Sequence, residues 1–169
     1  DTHEHYVFQY ALDWDEGKVA KVCAIVANEL EVKLVRTQYR NAYSFIRRIF
    51  GIKKQMGVLE WLSGFANAEF VVTDSFHGTV FSVINHKPFI TTLIGKEHKL
   101  NGMNERVVSL LRFLGLEDRM MDELDPIKIR TTVRDKIDWS AVDLRISAWR
   151  KETDVFFERI DNHSFIKAQ

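Results

Sequence analysis

The sequence has little cysteine, little proline and no excess of either charge. Its single cysteine, Cys23, excludes an internal disulfide and lies in a helical apolar pattern, which predicts a small buried side chain. Lysine plus arginine and aspartate plus glutamate both total 24, so the net charge gives no indication of a nucleic-acid partner. No apolar run approaches the roughly 20 residues that a membrane span requires. These absences favour a globular protein in a reducing, cytoplasmic setting.

The residues that are present suit one domain with a real core. The chain has 169 residues, of which 46% are hydrophobic and 28% charged. It begins at Asp1 rather than with methionine, and its first recognisable feature is a strand pattern rather than a signal peptide. We therefore expect the sequence to be a fragment of a longer chain.

Short apolar strand patterns alternate with helical patterns along the sequence. The predicted strands cover residues 6–10, 32–35, 70–72, 89–94 and 127–129. The predicted helices begin near residues 19, 58, 75, 104 and 139. In the helix that begins near residue 58, Leu59, Leu62 and Phe65 or Ala66 are expected to face the core. The last helix, 139–160, carries an apolar stripe that suits contact with an absent domain. The alternation predicts an α/β fold, a Rossmann-like, open and mainly parallel sheet flanked by helices.

The segment from Phe70 to Ile84 is the most favourable place in the sequence for a ligand-binding site. Its β-branched strand ends at Asp74 and Ser75, which are favourable helix N-cap residues, and an apolar helix follows. Free N–H groups at a helix start bind anions, and in an open parallel sheet they lie at the edge where ligands bind. We therefore expect an anion site at this turn.

The same segment carries the motif Thr73-Asp74-Ser75-Phe76-His77-Gly78-Thr79, and further motifs follow in order. These are Lys87-Pro88-Phe89, Asn104-Glu105-Arg106 and Gly115-Leu116-Glu117-Asp118-Arg119. Together they resemble the C-terminal half of the polysaccharide pyruvyl transferase family. The resemblance extends over roughly residues 6–157, and the motif that ends in His-Gly-Thr is its most specific part.

The resemblance implies an enzyme that transfers a pyruvyl group from phosphoenolpyruvate to sugar hydroxyls, forming a ketal in bacterial exopolysaccharide biosynthesis. It implies phosphoenolpyruvate as donor substrate, no separate cofactor, no metal, and a glycan or lipid-linked sugar as acceptor. The family's fold is similar to two-domain, GT-B-like transferases with a cleft between the domains. Residues 1–169 would then be the single C-terminal domain of a longer chain and would be inactive without the N-terminal domain. The resemblance implies that the protein lies in the cytoplasm or at the inner face of the membrane.

The resemblance also assigns roles to individual residues. His77 and Asp74 are expected to be catalytic. For His77 the physical reason is that an unperturbed histidine titrates near neutrality and so suits proton transfer. The expected donor ligands are Ser75, Phe76, Gly78, Thr79, Asn104 and Arg106. Some relatives carry arginine at the position of Ser75, so a direct cation to the donor is missing there or is supplied from elsewhere.

Each of these residues also has a structural interpretation. His77 can simply close the turn between strand and helix, and Asp74 can be an ordinary cap or turn aspartate. Asn104 can be the N-cap of its own helix. Arg106 would lie in the first turn of that helix, where the dipole disfavours a cation, so it requires either an anionic ligand or a surface salt bridge.

Other patterns carry weaker indications. His3 and His5 could share one strand face, but two histidines near a chain end are usually incidental rather than a metal site. The basic residues between 36 and 54 suit a solvated face, and Lys96, His98 and Lys99 belong to a predicted polar loop over 95–102. Two other functions stay open, a nucleotide-sugar-dependent glycosyltransferase and a non-catalytic carbohydrate-binding or assembly module.

Overall fold

The computed structural model describes residues 5–12, 17–36, 57–93 and 101–166. The strands are β1 (Tyr6–Tyr10), β2 (Lys33–Arg36), β3 (Phe70–Thr73), β4 (Phe89–Thr92) and β5 (Met120–Met121). The helices are α1 (Gly17–Leu30), α2 (Val58–Ala66), α3 (Phe76–Ile84), α4 (Asn101–Leu114), α5 (Pro126–Arg134) and α6 (Trp139–Ile166). A 3-10 turn, Glu117–Arg119, precedes β5.

The five strands form one sheet in the order β2-β1-β3-β4-β5, and every neighbouring pair is parallel. This confirms the predicted Rossmann-like α/β fold. The chain moves outward from β1 to β2 and later from β3 to β5, so the direction of winding reverses between β1 and β3. Crevices at such a reversal, outside the carboxyl ends of the strands, are where open α/β sheets bind ligands. The similarity to one half of a GT-B-like transferase stays a prediction.

The two faces of the sheet have different cores. The face under α1 and α5 is largely aliphatic and includes Val7, Val22, Val72 and Ile90, together with Cys23. Burial raises the pKa of the Cys23 thiol to about 12, which agrees with its predicted role as a small apolar side chain.

The opposite face is built on aromatic rings. Phe8 and Phe65 meet edge to face at 4.9 Å between centroids, and Trp61 meets Phe81 at 4.8 Å. Aromatic side chains contribute large buried areas and prefer such tilted contacts. Rings from β1, α2 and α3 therefore fix the helix that carries the predicted site onto the sheet.

Of the positions of α2 that were predicted to face the core, Phe65 is buried, whereas the prediction was wrong for Leu59 and Leu62, which are exposed. Leu59 is 81% exposed, while Gly64 and Phe65 are buried and Trp61 packs against the core. The helix is apolar on most sides, so spacing alone left its buried face ambiguous. A Cβ at position 64 would approach the ring of Phe8 to 2.4 Å, so this glycine lets α2 lie close to β1.

The predicted strand over 127–129 was also wrong, because those residues lie in α5. Asp125 is its N-cap and accepts hydrogen bonds from the N–H groups of Ile127 and Lys128, and Pro126 occupies the first helical turn. An N-cap aspartate followed by proline is a strong helix start, and it outweighed the β-branched residues that follow.

The motif Gly115–Arg119 has a structural role, through the buried side chains of Leu116 and Arg119. This arginine is 2% exposed and donates to the carbonyl oxygens of Thr132 and Asp135 at 2.8 and 3.1 Å. It also lies 3.0 Å from a carboxylate oxygen of Asp118. Its guanidinium thus links the segment before β5 to the end of α5. Strand β5 itself was not among the predicted strands.

Two predicted boundaries shift. Helix α4 begins at Asn101, inside the predicted loop, and ends at Gly115, whose φ of +67° suits glycine after a helix. Helix α6 begins at Trp139 as predicted but continues to Ile166. Of the helices in the described ranges, none is both long enough and apolar enough to cross a membrane.

Candidate functional site

The crevice where the winding reverses is joined by one aspartate. Tyr10 pairs with Thr73 at the carboxyl ends of β1 and β3. Just beyond them, the buried Asp74 accepts a hydrogen bond from the N–H of Leu12, with 2.7 Å between Oδ1 and N. A charged acceptor makes a stronger hydrogen bond than a neutral one. Asp74 therefore holds together the two chain segments that form the crevice.

The inner side of the turn is closely packed against the sheet. The N–H of Ser75 donates to Oγ1 of Thr73 at 3.1 Å. The Thr79 hydroxyl donates to the carbonyl of Ser75 at 3.0 Å and lies 2.8 Å from the hydroxyl of Thr91 on β4. A Cβ on Gly78 would come within 2.2 Å of Oγ1 of Thr73 and 2.9 Å of the Tyr10 ring. Gly78 is thus required for contact between helix and strand, before any ligand is considered.

Ser75 is the N-cap of α3 but does not cap it with its side chain. Its backbone is extended, with φ −100° and ψ 135°, and its hydroxyl makes no capping hydrogen bond. The hydroxyl is fully buried, and none of the residues that the structure describes forms a hydrogen bond with it. An unpaired buried polar group costs about 1–3 kcal/mol, so native structures seldom leave one without a reason.

The first turn of α3 offers backbone donors beside that hydroxyl. The first backbone hydrogen bond of this helix runs from the N–H of Thr79 to the carbonyl of Ser75, at 2.9 Å. The N–H groups of Phe76, His77 and Gly78 precede it and therefore have no acceptor within the helix. Together with the positive end of the helix dipole they favour an anion.

The outer side of the turn is open to solvent. His77 is exposed, and its ring meets that of Phe76 edge to face at 5.8 Å. The guanidinium carbon of Arg106, on α4, lies 5.3 Å from the centroid of the Phe76 ring on the aromatic face. Phe76 therefore brings a cation from α4 next to the start of α3, as a cation–π contact.

The structure corrects two predicted positions on α4. Because the helix begins at Asn101, Asn104 is not its N-cap, and Arg106 lies in the second turn rather than the first. The argument from an unfavourable dipole therefore does not apply to Arg106. Its place beside Phe76 is the observation that now associates it with the turn.

Lys18 also lies at the ligand edge of the sheet, and the sequence reasoning missed it. Its ammonium group donates to the carbonyl of Leu93 at 3.1 Å and to the carbonyl of Asp122, residues that follow β4 and β5. Burial lowers the pKa of Lys18, and the nearby acidic groups of Asp122 and Glu123 oppose that shift. A lysine in the first turn of α1, where the dipole disfavours a cation, was a usable signal.

Several predicted residues fall outside the described part of the chain. These are His3, the loop residues Lys96, His98 and Lys99, and the basic residues 40–54. In the described ranges, no group of three or more histidine, cysteine or acidic side chains is arranged to hold a metal ion.

Comparison with known families places this turn in a defined context. The model of the family described as polysaccharide pyruvyl transferase matches residues 2–93, which is more than half of the chain. The chain belongs to the polysaccharide pyruvyl transferase family. No curated protein matches it. The family match spans β1 to β4 and so contains Asp74, Ser75 and His77, whereas Asn104 and Arg106 follow its end.

The family is one of transferases. The geometry of the turn indicates which chemistry its groups suit. The turn combines a rigid inner side with backbone donors, one buried hydroxyl, one exposed imidazole and one nearby guanidinium. Donors and a cation suit an anionic substrate, and the imidazole suits proton transfer.

Proposed function

We propose that this domain takes part in the transfer of a pyruvyl group from phosphoenolpyruvate to two hydroxyls of a sugar. The observation that carries the proposal is the hydroxyl of Ser75 at the start of α3, which is fully buried and finds no hydrogen-bond partner in the described part of the chain, in a member of this family. Phosphoenolpyruvate carries a phosphate and a carboxylate, and both are acceptors for hydroxyl and N–H donors. One of these groups would accept from Ser75 and the first-turn N–H groups.

Arg106 supports the proposal by supplying charge. Because position 75 is serine rather than arginine, the turn has no cation of its own. A donor substrate with two anionic groups needs a cation nearby. The guanidinium of Arg106 lies over the Phe76 ring, 5.3 Å from its centroid, and its side chain is exposed rather than buried. Arginine binds phosphate and carboxylate through two parallel hydrogen bonds, which suits this role.

In the proposed reaction, His77 moves protons. A proton is added to the vinyl CH2 of the donor, and positive charge develops on the adjacent carbon. One sugar hydroxyl attacks that carbon and loses its proton, phosphate leaves with the C–O electron pair, and the second hydroxyl attacks and loses its proton. The products are a pyruvate ketal and inorganic phosphate. His77 is the exposed titratable group beside the donor site, and Asp74 acts chiefly by holding the crevice in shape.

The proposal is tested by substituting His77 in the full-length protein and measuring phosphate release from phosphoenolpyruvate with candidate glycans. We expect His77→Ala to lower kcat by about 10²- to 10⁴-fold, the usual contribution of general acid–base catalysis. Since His77 is exposed, the urea midpoint of unfolding should not move. Normal turnover by the variant would contradict a catalytic role.

A suitable control is His86→Ala, which removes the other histidine near α3. His86 stacks on Trp139 and lies 3.0 Å from a carboxylate oxygen of Asp143, on the side of α3 away from its first turn. Its loss should leave turnover unchanged. Release of a nucleotide from a nucleotide sugar, with no response to phosphoenolpyruvate, would instead indicate a glycosyltransferase. Calorimetry that showed glycan binding without donor binding would indicate a non-catalytic module.

A further inference from the structure

Helix α6 carries an apolar seam with a seven-residue repeat that starts inside the core and continues into solvent. The repeat places Val142, Trp149 and Phe156 at one core position and Ile146, Thr153 and Ile160 at the other. Val142 is buried and Ile146 packs against the aromatic-face core. Trp149, Phe156 and Ile160 are 57%, 59% and 44% exposed.

The apolar surface extends beyond the seam itself. Phe157, next to Phe156, is 57% exposed, and Phe113 of α4 is 42% exposed and contacts the Trp149 ring at 5.6 Å. Contiguous exposed aromatic surface of this kind marks an interaction site. The polar member of the seam, Thr153, satisfies its hydroxyl within the helix, through the carbonyl of Trp149 at 2.9 Å, so it can be covered without a new partner.

We propose that two copies of this chain pair through the second half of α6 as an antiparallel helix pair. The pair is centred between Asp154 and Val155. In antiparallel coiled coils, each core position meets the other kind of core position on the second helix. Trp149 then packs against the second copy's Ile160, and Thr153 against its Phe156.

Charge favours this occupant and this direction. The centre that aligns the core layers also places Glu152 beside Arg159 of the second copy, and two-fold symmetry makes that ion pair twice. It also places Arg150 beside the second copy's Phe157, a cation–π arrangement, again twice. The flanking residues therefore complement themselves when the second helix runs the opposite way.

A parallel pair would have the opposite consequence. It would place Arg145 beside the second copy's Arg150, which is repulsive, and Glu152 beside Phe157, which offers no charge. Arg145 also already donates to the carbonyl of Leu114 in its own domain. The sequence of α6 thus selects the antiparallel arrangement.

The decisive experiment exchanges charges between Glu152 and Arg159 and measures mass by sedimentation equilibrium over a wide concentration range. Glu152→Arg alone and Arg159→Glu alone each replace two attractive contacts with repulsive ones. We expect each variant to raise the dimer dissociation constant by about tenfold. When mixed, the two variants should form a heterodimer, because each again faces the opposite charge.

Two further variants separate the seam from the helix surface. Phe156→Asp should abolish the dimer, whereas Val155→Asp, which adds the same charge one residue away and off the seam, should leave it intact. Circular dichroism reports whether each variant keeps its helices. A native chain that stays monomeric, or single variants that do not heterodimerise on mixing, would overturn the proposal and assign this surface to another partner.

The direction of pairing is measured by spin labels at a cysteine introduced in place of Leu144. This residue is 72% exposed and lies off the seam, and the native Cys23 is buried and so does not compete for the label. The two labels should lie about 30 Å apart along the helix axes, from 21 residues at ~1.5 Å each. A parallel pair would bring them level, and that result would overturn the antiparallel arrangement.

Discussion

The two sides of the turn between β3 and α3 differ in burial and in bonding. On the inner side, Thr73, Asp74 and Thr79 are buried and their oxygens accept or donate hydrogen bonds within the protein. On the outer side, His77 and Arg106 are exposed. The inner residues set the position of the turn, and the outer residues are available to a substrate.

Ser75 is the exception that makes the comparison useful. It lies on the buried side, yet its hydroxyl has no hydrogen-bond partner among the described residues, so it shares the burial of the inner residues but not their bonding. If the comparison is right, substitutions of inner residues should change stability, and substitutions of outer residues should change catalysis alone. Ser75 should change ligand binding without lowering stability.

The largest expected effect on stability comes from Gly78→Ala. The added methyl group would lie 2.2 Å from Oγ1 of Thr73, so α3 must shift on the sheet. Overpacking costs about 1–3 kcal/mol or more, and the upper end applies here because the methyl group meets both buried Thr73 and the Tyr10 ring; this exceeds the roughly 1 kcal/mol that alanine gains over glycine within a helix. Urea unfolding should show a lower free energy of unfolding.

Gly57→Ala is the matched control for Gly78→Ala. Among the residues that the structure describes, the non-bonded atom nearest to a Cβ at position 57 would be a carboxylate oxygen of Glu60, at 3.8 Å. Its free energy of unfolding should therefore change less than that of Gly78→Ala. Equal effects at the two positions would show that close packing is not what requires glycine in the turn.

The next effect is that of Asp74→Ala. It leaves the N–H of Leu12, just beyond β1, without its acceptor. A buried unpaired donor costs about 1–3 kcal/mol, and the lower end applies here because Leu12 is only partly buried. Asp74→Asn keeps an acceptor oxygen and should cost less. The specific measurement is hydrogen exchange at the Leu12 amide, which should accelerate in the alanine variant. Unchanged protection there would contradict the role assigned to Asp74.

The sequence was sufficient to predict the parallel α/β sheet, apart from β5, and the strand-to-helix turn after Asp74, while the assignment of a site to that turn stays a prediction. Strands β1, β3 and β4 and the helix start after Asp74 follow from β-branched and aromatic runs that end in capping residues. The prediction of a strand over 127–129 misassigned α5, because the β-branched residues after Pro126 were given more weight than the N-cap residue Asp125 before it. Strand β5, at two residues, was too short for any periodicity to reveal.

The contacts that define the site depend on long-range register, which spacing does not encode. The bond between Asp74 and Leu12 joins positions 62 residues apart and exists because Tyr10 and Thr73 are paired. The approach of Arg106 to Phe76 likewise depends on how α4 packs beside α3. Residue type predicted that Ser75 would be the N-cap, but its hydroxyl does not make the bond that this residue type favours.

The smallest expected effect on stability, and the most informative, is that of Ser75→Ala. Loss of an N-cap serine usually costs about 0.5–2 kcal/mol, but this hydroxyl makes no capping bond, so the free energy of unfolding should stay within about 0.5 kcal/mol or rise. Affinity for phosphoenolpyruvate, measured by calorimetry, should fall about tenfold or more.

Ser82→Ala is the control for Ser75→Ala, since the buried hydroxyl of Ser82 donates to the carbonyl of Gly78 at 2.8 Å and its loss should reduce stability but not affinity. If Ser75→Ala destabilised the protein as Ser82→Ala does and left affinity unchanged, Ser75 would belong with the inner residues and the donor would bind elsewhere.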